Sequence, residues 1–274
     1  MSKRREGSSP PAPEPLRVAT VDSHTHLDAL ETDVADVVAQ ARAVGVTAMV
    51  TTGDTVESSR WCAATAASYD EVYAAVAIHP NEVGSAGEET YAEIARLAAL
   101  PEVSAVGETG LDYYWERVDP QLQRQAFRRH IDIAKHTGKA LVIHDRDAHA
   151  DVLDVLAADG APEHTVMHCF SGDAELARTC AERGYLMSFA GTVTFKNAAD
   201  LRAAAEVAPP DLVVVETDAP YLTPMPYRGR PNAPYLMPLT VRCLAEVRGV
   251  GEDELAATAA ANAARVFGLG VPPS

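Results

Sequence analysis

A parallel (β/α)8 barrel, the TIM-barrel fold, is what this 274-residue sequence predicts, and three observations carry the prediction. From Arg17 onward, short β-branched runs alternate with Ala-rich stretches of helical periodicity, eight times in roughly 250 residues, a length that suits such a barrel. Gly45, Gly138 and Gly184 each stand between a helical stretch and the next strand, where a left-handed C-cap is commonly required. Five of the β-branched runs end at side chains able to bind metal, and strand C-termini in a parallel barrel converge on one face. A doubly wound open sheet is the alternative, but the chain has neither a GxGxxG nor a GxxxxGK(S/T) loop.

The elements follow in order. Val18–Val21 opens a strand near 18–23 that runs into Asp-Ser-His-Thr-His, and a helix near 33–44 stops at Gly45. Strands near 46–51 and 72–78 alternate with helices near 56–68 and 88–99. Val103–Val106 gives a strand near 103–108 ending at Glu108, followed by a long helix near 120–137 that stops at Gly138. Leu141–Ile143 leads to His144 in a strand near 140–144, and Thr165–Met167 leads to His168 in one near 164–168; helices near 147–158 and 173–183 follow them. A strand near 185–189 and a helix near 198–206 precede Leu212–Val215, whose strand near 212–216 is followed by Asp218. Helices near 236–248 and 252–266 finish the chain. Residues 1–16 are rich in Pro and Ser without core-forming side chains, so they read as a disordered tail, with one domain over 17–274.

Composition narrows the function classes. A formal net charge of −16 repels a polyanion at long range, so nucleic acid would have to be held locally, by metal ions and a few arginines. The four cysteines show no CxxC spacing and suggest no disulfide framework, which fits a reducing cytoplasm. No apolar stretch reads as a membrane span or signal peptide, and a soluble monomer is the expectation.

The strand ends carry the chemistry. His24 and His26, two apart on a strand, share a face and can grip one ion. A carboxylate directly after a buried run, as at Glu108, is costly unless it is paired or ligates a cation, and His144 and His168 repeat the pattern. Glu216 shares a face with Asp218, and spacing alone leaves open which of them belongs to the site. Four imidazoles and two carboxylates exceed one tetrahedral shell and point to two ions, with Glu108 as the natural bridge. Two ions roughly 3.5–4 Å apart clamp a phosphoryl group and acidify a water, so metal-assisted hydrolysis is implied. An imidazole-rich set also suits Zn2+ or Mn2+.

The segments Asp22-Ser-His-Thr-His-Leu-Asp28, Val106-Gly-Glu-Thr-Gly-Leu-Asp-Tyr-Tyr114, Ile143-His-Asp-Arg146, His168-Cys-Phe-Ser-Gly172 and Glu216-Thr-Asp-Ala-Pro-Tyr221 closely resemble the TatD family of metal-dependent deoxyribonucleases, within the amidohydrolase superfamily. The resemblance runs from about Val21 to Phe267. It implies a TIM barrel holding two divalent ions, Mg2+ by family habit, on His24, His26, Glu108, His144, His168 and Asp218. It also implies hydrolysis of DNA phosphodiesters, often 3′-to-5′ on single strands, with Glu108 bridging the ions and Asp218 accepting a proton from the attacking water. One departure stands out: Ala77-Ile-His-Pro-Asn81 replaces the family's Gly-x-His-Pro-His, so His79 remains while the second histidine does not.

Beyond the ligands, His79 and Arg146 are candidate contacts to a phosphate, and Tyr113, with Tyr114 and Trp115, is placed at the barrel mouth to stack on a base or pack as a lid. His130, His136, His149 and His164 lie away from the mouth and are expected to be structural or solvent-facing. The alternative activity is hydrolysis of an aminoacyl-tRNA ester or a small carboxyl or amide substrate, since the same centre can attack a carbonyl. A non-catalytic scaffold is disfavoured by the presence of every ligand-type residue.

Overall fold

The computed structural model describes residues 8–270, and within them the strands form one parallel sheet in sequential order from β1 to β8. β1 (Thr20–Thr25), β2 (Val46–Gly53), β3 (Val72–Val76), β4 (Val103–Asp112), β5 (Ala140–Arg146), β6 (Thr165–Met167), β7 (Leu186–Phe189) and β8 (Val213–Val215) match the eight expected positions. The helices α1 (Val34–Ala43), α2 (Val56–Ala66), α3 (Glu88–Ala98), α4 (Pro120–Thr137), α5 (His149–Asp159), α6 (Ala174–Glu182), α7 (Ala199–Val207), α8 (Met237–Arg248) and α9 (Glu252–Phe267) alternate with them. Gly45, Gly138 and Gly184 have φ of 90, 66 and 73°, the left-handed backbone their positions called for. Among the described residues no helix is long and apolar enough to cross a membrane.

The barrel interior is packed with small and branched side chains, among them Val21, Ala48, Val50, Ala75, Ala105, Val142, Val166 and Val214. Val266 and Phe267 of α9, with Leu269, join this cluster. α9 therefore plugs the end opposite the site, and Asn262 anchors it by donating to the carbonyls of Pro210 and Val213, each at 2.8 Å. The seam between β8 and β1 is closed by backbone bonds just past β8: the Asp218 N–H donates to His24 O (2.9 Å) and the His26 N–H to Ala219 O (2.8 Å). Asp22 fastens the same seam, its buried carboxylate accepting from the Thr217 N–H at 2.9 Å and the Thr217 hydroxyl at 2.5 Å.

Two expectations about extent change. β4 continues past Glu108 to Asp112 and β5 past His144 to Arg146, paired from Thr109↔Ile143 through Asp112↔Arg146. The glycines make this possible: a Cβ on Gly107 would lie 2.5 Å from Val142 Cβ, and one on Gly110, at φ 140°, 2.2 Å from His144 O. At the N-terminus, residues 8–16 are packed where a disordered tail was expected, with Leu16 in the core and its N–H on Val44 O at 3.0 Å. Tyr235 donates to Pro10 O (2.6 Å), Arg230 to Ser8 O (2.6 Å) and Arg242 to Glu14 O (2.8 Å). A Pro-rich segment offers carbonyls to arginine and tyrosine donors, an attachment that counting apolar side chains does not register. The remainder of the expected tail, 1–7, lies outside the described residues.

His130 of α4 is the buried histidine that ties this side of the barrel together. Its Nε2 accepts the Ile78 N–H at 3.1 Å, its Nδ1 donates to Ala126 O at 2.8 Å, and burial pushes its pKa down to about 4 from an ordinary 6.5. The unfolded chain thus binds more protons than the folded one between pH 6.5 and 4. Stability from this residue is complete above pH 6.5 and lost as pH falls through 4, about 3 kcal/mol in all. Urea midpoints measured down this range are expected to fall more steeply in the native protein than in His130→Asn; parallel slopes would refute the assignment.

Candidate metal centre

Strand parity aims part of the site. Thr52, His144, His168 and Glu216 each stand two residues beyond an interior residue (Val50, Val142, Val166 and Val214), and so face inward at the upper rim. His24, His26 and Glu108 arrive by another route. The ladder register shifts between Asp22 and Thr25 on β1 and between Val106 and Thr109 on β4, and such an irregularity re-aims the side chains that follow it. Asp218 sits just past β8 at φ 53° and Cys169 just past His168 at φ 44°, left-handed conformations uncommon for residues with a Cβ and concentrated at functional sites.

The six expected ligands come together around Glu108, which is 4% exposed. Its Oε1 faces one histidine pair, 3.8 Å from His24 Nε2 and 3.5 Å from His26 Nε2. Its Oε2 faces the other, 2.9 Å from His144 Nδ1 and 3.2 Å from His168 Nε2. Asp218 Oδ1 lies 3.9 Å from His24 Nε2 and 3.5 Å from His26 Nε2. Three-residue groupings of close donor atoms accordingly overlap: His24/His26/Glu108, Glu108/His144/His168 and His24/His168/Asp218.

Behind each ring an oxygen faces the opposite nitrogen, so that in the neutral form of the ring the inward nitrogen carries the lone pair. His26 Nδ1 donates to Thr52 O at 3.1 Å, and His24 Nδ1 lies 3.5 Å from Thr52 Oγ1. His144 Nε2 donates to Asp112 Oδ2 at 3.1 Å, and His168 Nδ1 lies 3.0 Å from Glu216 Oε1. Glu216 therefore stands behind the His168 ring while Asp218 faces His24 and His26, which separates the two acids that spacing left together. Glu216→Gln keeps the shape and removes the charge behind His168; Zn2+ or Mn2+ affinity measured by calorimetry is expected to fall about 10–100-fold, and native affinity in the variant would sink this role.

The donor set fits divalent ions by its chemistry as well as its shape. Burial alone would lower the pKa of His26 and of His144, but the carboxylates around them outweigh it and raise His26 to about 10 and His144 to about 9. Burial opposes ionisation of Glu108, yet His168 and His144 hold it well below the ordinary range. His24 moves the other way, lowered by burial and by His168 stacked on it at 3.7 Å between ring centroids. Carboxylate charge concentrated among buried imidazoles is a cage that cations complete.

The remaining candidates divide. His79 packs edge-on against His144, 4.5 Å between centroids, and its Nδ1 accepts the Asn81 N–H at 3.0 Å. Burial and the neighbouring His144 push its pKa down to about 3, so it is neutral and presents an Nε2–H donor. Tyr113 is not brought to the centre: its hydroxyl donates to Asp151 at 2.6 Å and accepts from Arg124 at 3.1 Å. Arg146 reaches over Tyr114. Asp112 is the residue that sequence reasoning passed over, although it lies inside a quoted motif. Its carboxylate also accepts from the Asn81 side-chain amide at 2.9 Å, so the asparagine in place of the family histidine supports the residue behind His144.

Comparison with known proteins agrees with this geometry. The sequence family described as TatD related DNase matches residues 21–268. A Mycobacterium tuberculosis H37Rv protein named an uncharacterized metal-dependent hydrolase, TatD, is 51% identical over 259 residues, covering 91% of this chain and 98% of its own. A Cronobacter sakazakii protein named 3′-5′ ssDNA/RNA exonuclease TatD is 35% identical over 239 residues, covering 85% of this chain and 90% of its own. The crystal structure of YjjV, a TatD homologue from Escherichia coli K12, superposes with a TM-score of 0.85 at 26% identity, covering 92% of this chain and 98% of that one. With the barrel, the cluster of histidines and carboxylates and these relatives in agreement, the chain is a member of the TatD family of metal-dependent hydrolases.

Proposed function

We propose that the protein hydrolyses phosphodiester bonds in DNA, releasing nucleotides 3′-to-5′ from single strands, with two divalent ions held by His24, His26, Glu108, His144, His168 and Asp218. The observation that carries the reading is the division of Glu108, one oxygen to each histidine pair. Bound there, Mg2+, Mn2+ or Zn2+ supplies charge stabilisation at a phosphoryl oxygen and a lowered pKa for water.

The chain's own groups do the rest. Asp218, at the mouth side of the cage, accepts the proton of the attacking water. His79 offers its Nε2–H to a non-bridging oxygen, a neutral donor that does not compete for the ions. Arg146 adds a permanent cation beside the path of the strand. Four free thiols are compatible with work in a reducing cytoplasm.

End-labelled single-stranded DNA incubated with the metal-loaded protein tests the reading: mononucleotides lost successively from the 3′ end are expected. Faster turnover of an aminoacyl ester than of the oligonucleotide overturns it in favour of carbonyl chemistry.

A further inference from the structure

Among the described residues, the large hydrophobic side chains left exposed include an adjacent pair in the segment that leaves β4. Tyr114 is 53% and Trp115 48% exposed, their rings at 87° with centroids 5.0 Å apart. Two half-solvated aromatic rings forgo burial that each could contribute to the core, as Tyr113 beside them does. Their other partners are cations: Arg146 Cζ lies 3.9 Å from the Tyr114 ring centroid, and Arg117 Cζ 4.9 Å from that of Trp115. Neither guanidinium is among the ion pairs of the described residues, in a chain whose net charge is −16. Asp112 joins this cluster to the metal cage. Its Oδ1 accepts the N–H of Tyr114 at 3.0 Å and of Trp115 at 3.2 Å, while its Oδ2 holds His144.

We infer that Tyr114 and Trp115, flanked by Arg146 and Arg117, form a binding site for an unpaired nucleobase and its adjoining phosphate. The inference rests on the phosphodiesterase reading of the neighbouring centre and specifies how that centre receives its substrate. A base within a duplex has both faces covered by its neighbours, whereas an unstacked base offers a face to an exposed ring. Stacking does not depend on which base is present, so the site is tolerant of sequence. The arginines supply local positive charge in a chain of net charge −16. One buried carboxylate fixes both the platform and a metal ligand, so the stacked base is held in register with the reacting phosphate.

The test uses metal-loaded protein carrying Trp61→Phe, so that Trp115 is the emitting tryptophan, mixed in stopped flow with a single-stranded adenine hexamer or its abasic counterpart. The base-bearing strand is expected to quench Trp115 before turnover and to bind about tenfold or more tightly than the abasic strand. In otherwise native protein, Trp115→Ala is expected to abolish that discrimination, read by anisotropy of a labelled strand, and Trp115→Phe to restore most of it. Arg146→Gln is expected to weaken both strands alike and to lessen the salt dependence. Equal affinity for the two strands, or a preference that survives Trp115→Ala and Tyr114→Ala, overturns the site. Base-dependent quenching without hydrolysis overturns the nuclease reading and leaves the site standing; hydrolysis without base preference does the reverse.

Discussion

Glu108→Gln is expected to lower kcat/KM by about a thousandfold or more, the equivalent of several kcal/mol of lost charge stabilisation. The substitution preserves length and volume, so the barrel has no packing reason to change. What it alters is the division of labour between the two oxygens. One faces the nitrogens of His24 and His26, the other those of His144 and His168. An amide has one acceptor oxygen; whichever pair receives the NH2 group meets a donor where it needs an anion. Metal content after dialysis should therefore fall below two ions per chain along with turnover. Retention of two ions and of activity within about tenfold of native would remove Glu108 from its bridging role.

Asp218→Asn is expected to lower kcat by about 10²–10⁴-fold, the range of a lost general base, with a smaller effect on KM. The position has φ 53°, and asparagine is among the residues that tolerate the left-handed region, so the backbone cost of the change is small. The carboxylate is the main thing removed. Circular dichroism and thermal midpoint should stay near native while single-turnover cleavage slows. A rate within about tenfold of native would assign proton acceptance to another group.

Much of this centre was legible from residue type and position. The alternation of strands and helices, the capping glycines and the candidate ligands at strand ends follow from local sequence, because parallel strands deliver their C-termini to one face, while the choice between Asp218 and Glu216 does not. Two physical features hid the rest. The irregularities on β1 and β4 are ladder events, and the period-2 rule cannot say that Glu108 turns inward when Val106 belongs to the outer core. Asp112 drew no assignment because its partners, Asn81, His144 and the Tyr114–Trp115 backbone, are drawn together only by folding. Tyr113 was misplaced for a related reason: three consecutive aromatics cannot all face the mouth, and the strand extension to Asp112 turned the first toward Asp151 and Arg124.

The seam between the first and last strands has a temporal meaning. Asp22 grips Thr217 across 195 residues, and the neighbouring candidate ligands, His24 and His26 on one side and Asp218 on the other, straddle the same closure. A chain emerging from the ribosome presents His24 and His26 early and Asp218 only 192 positions after His26. The cluster of His24, His26 and Asp218 is thus assembled only with closure of the barrel, and a chain that stops short of β8 lacks its carboxylate. Assembly of the cluster and completion of the barrel are one event in the life of the chain.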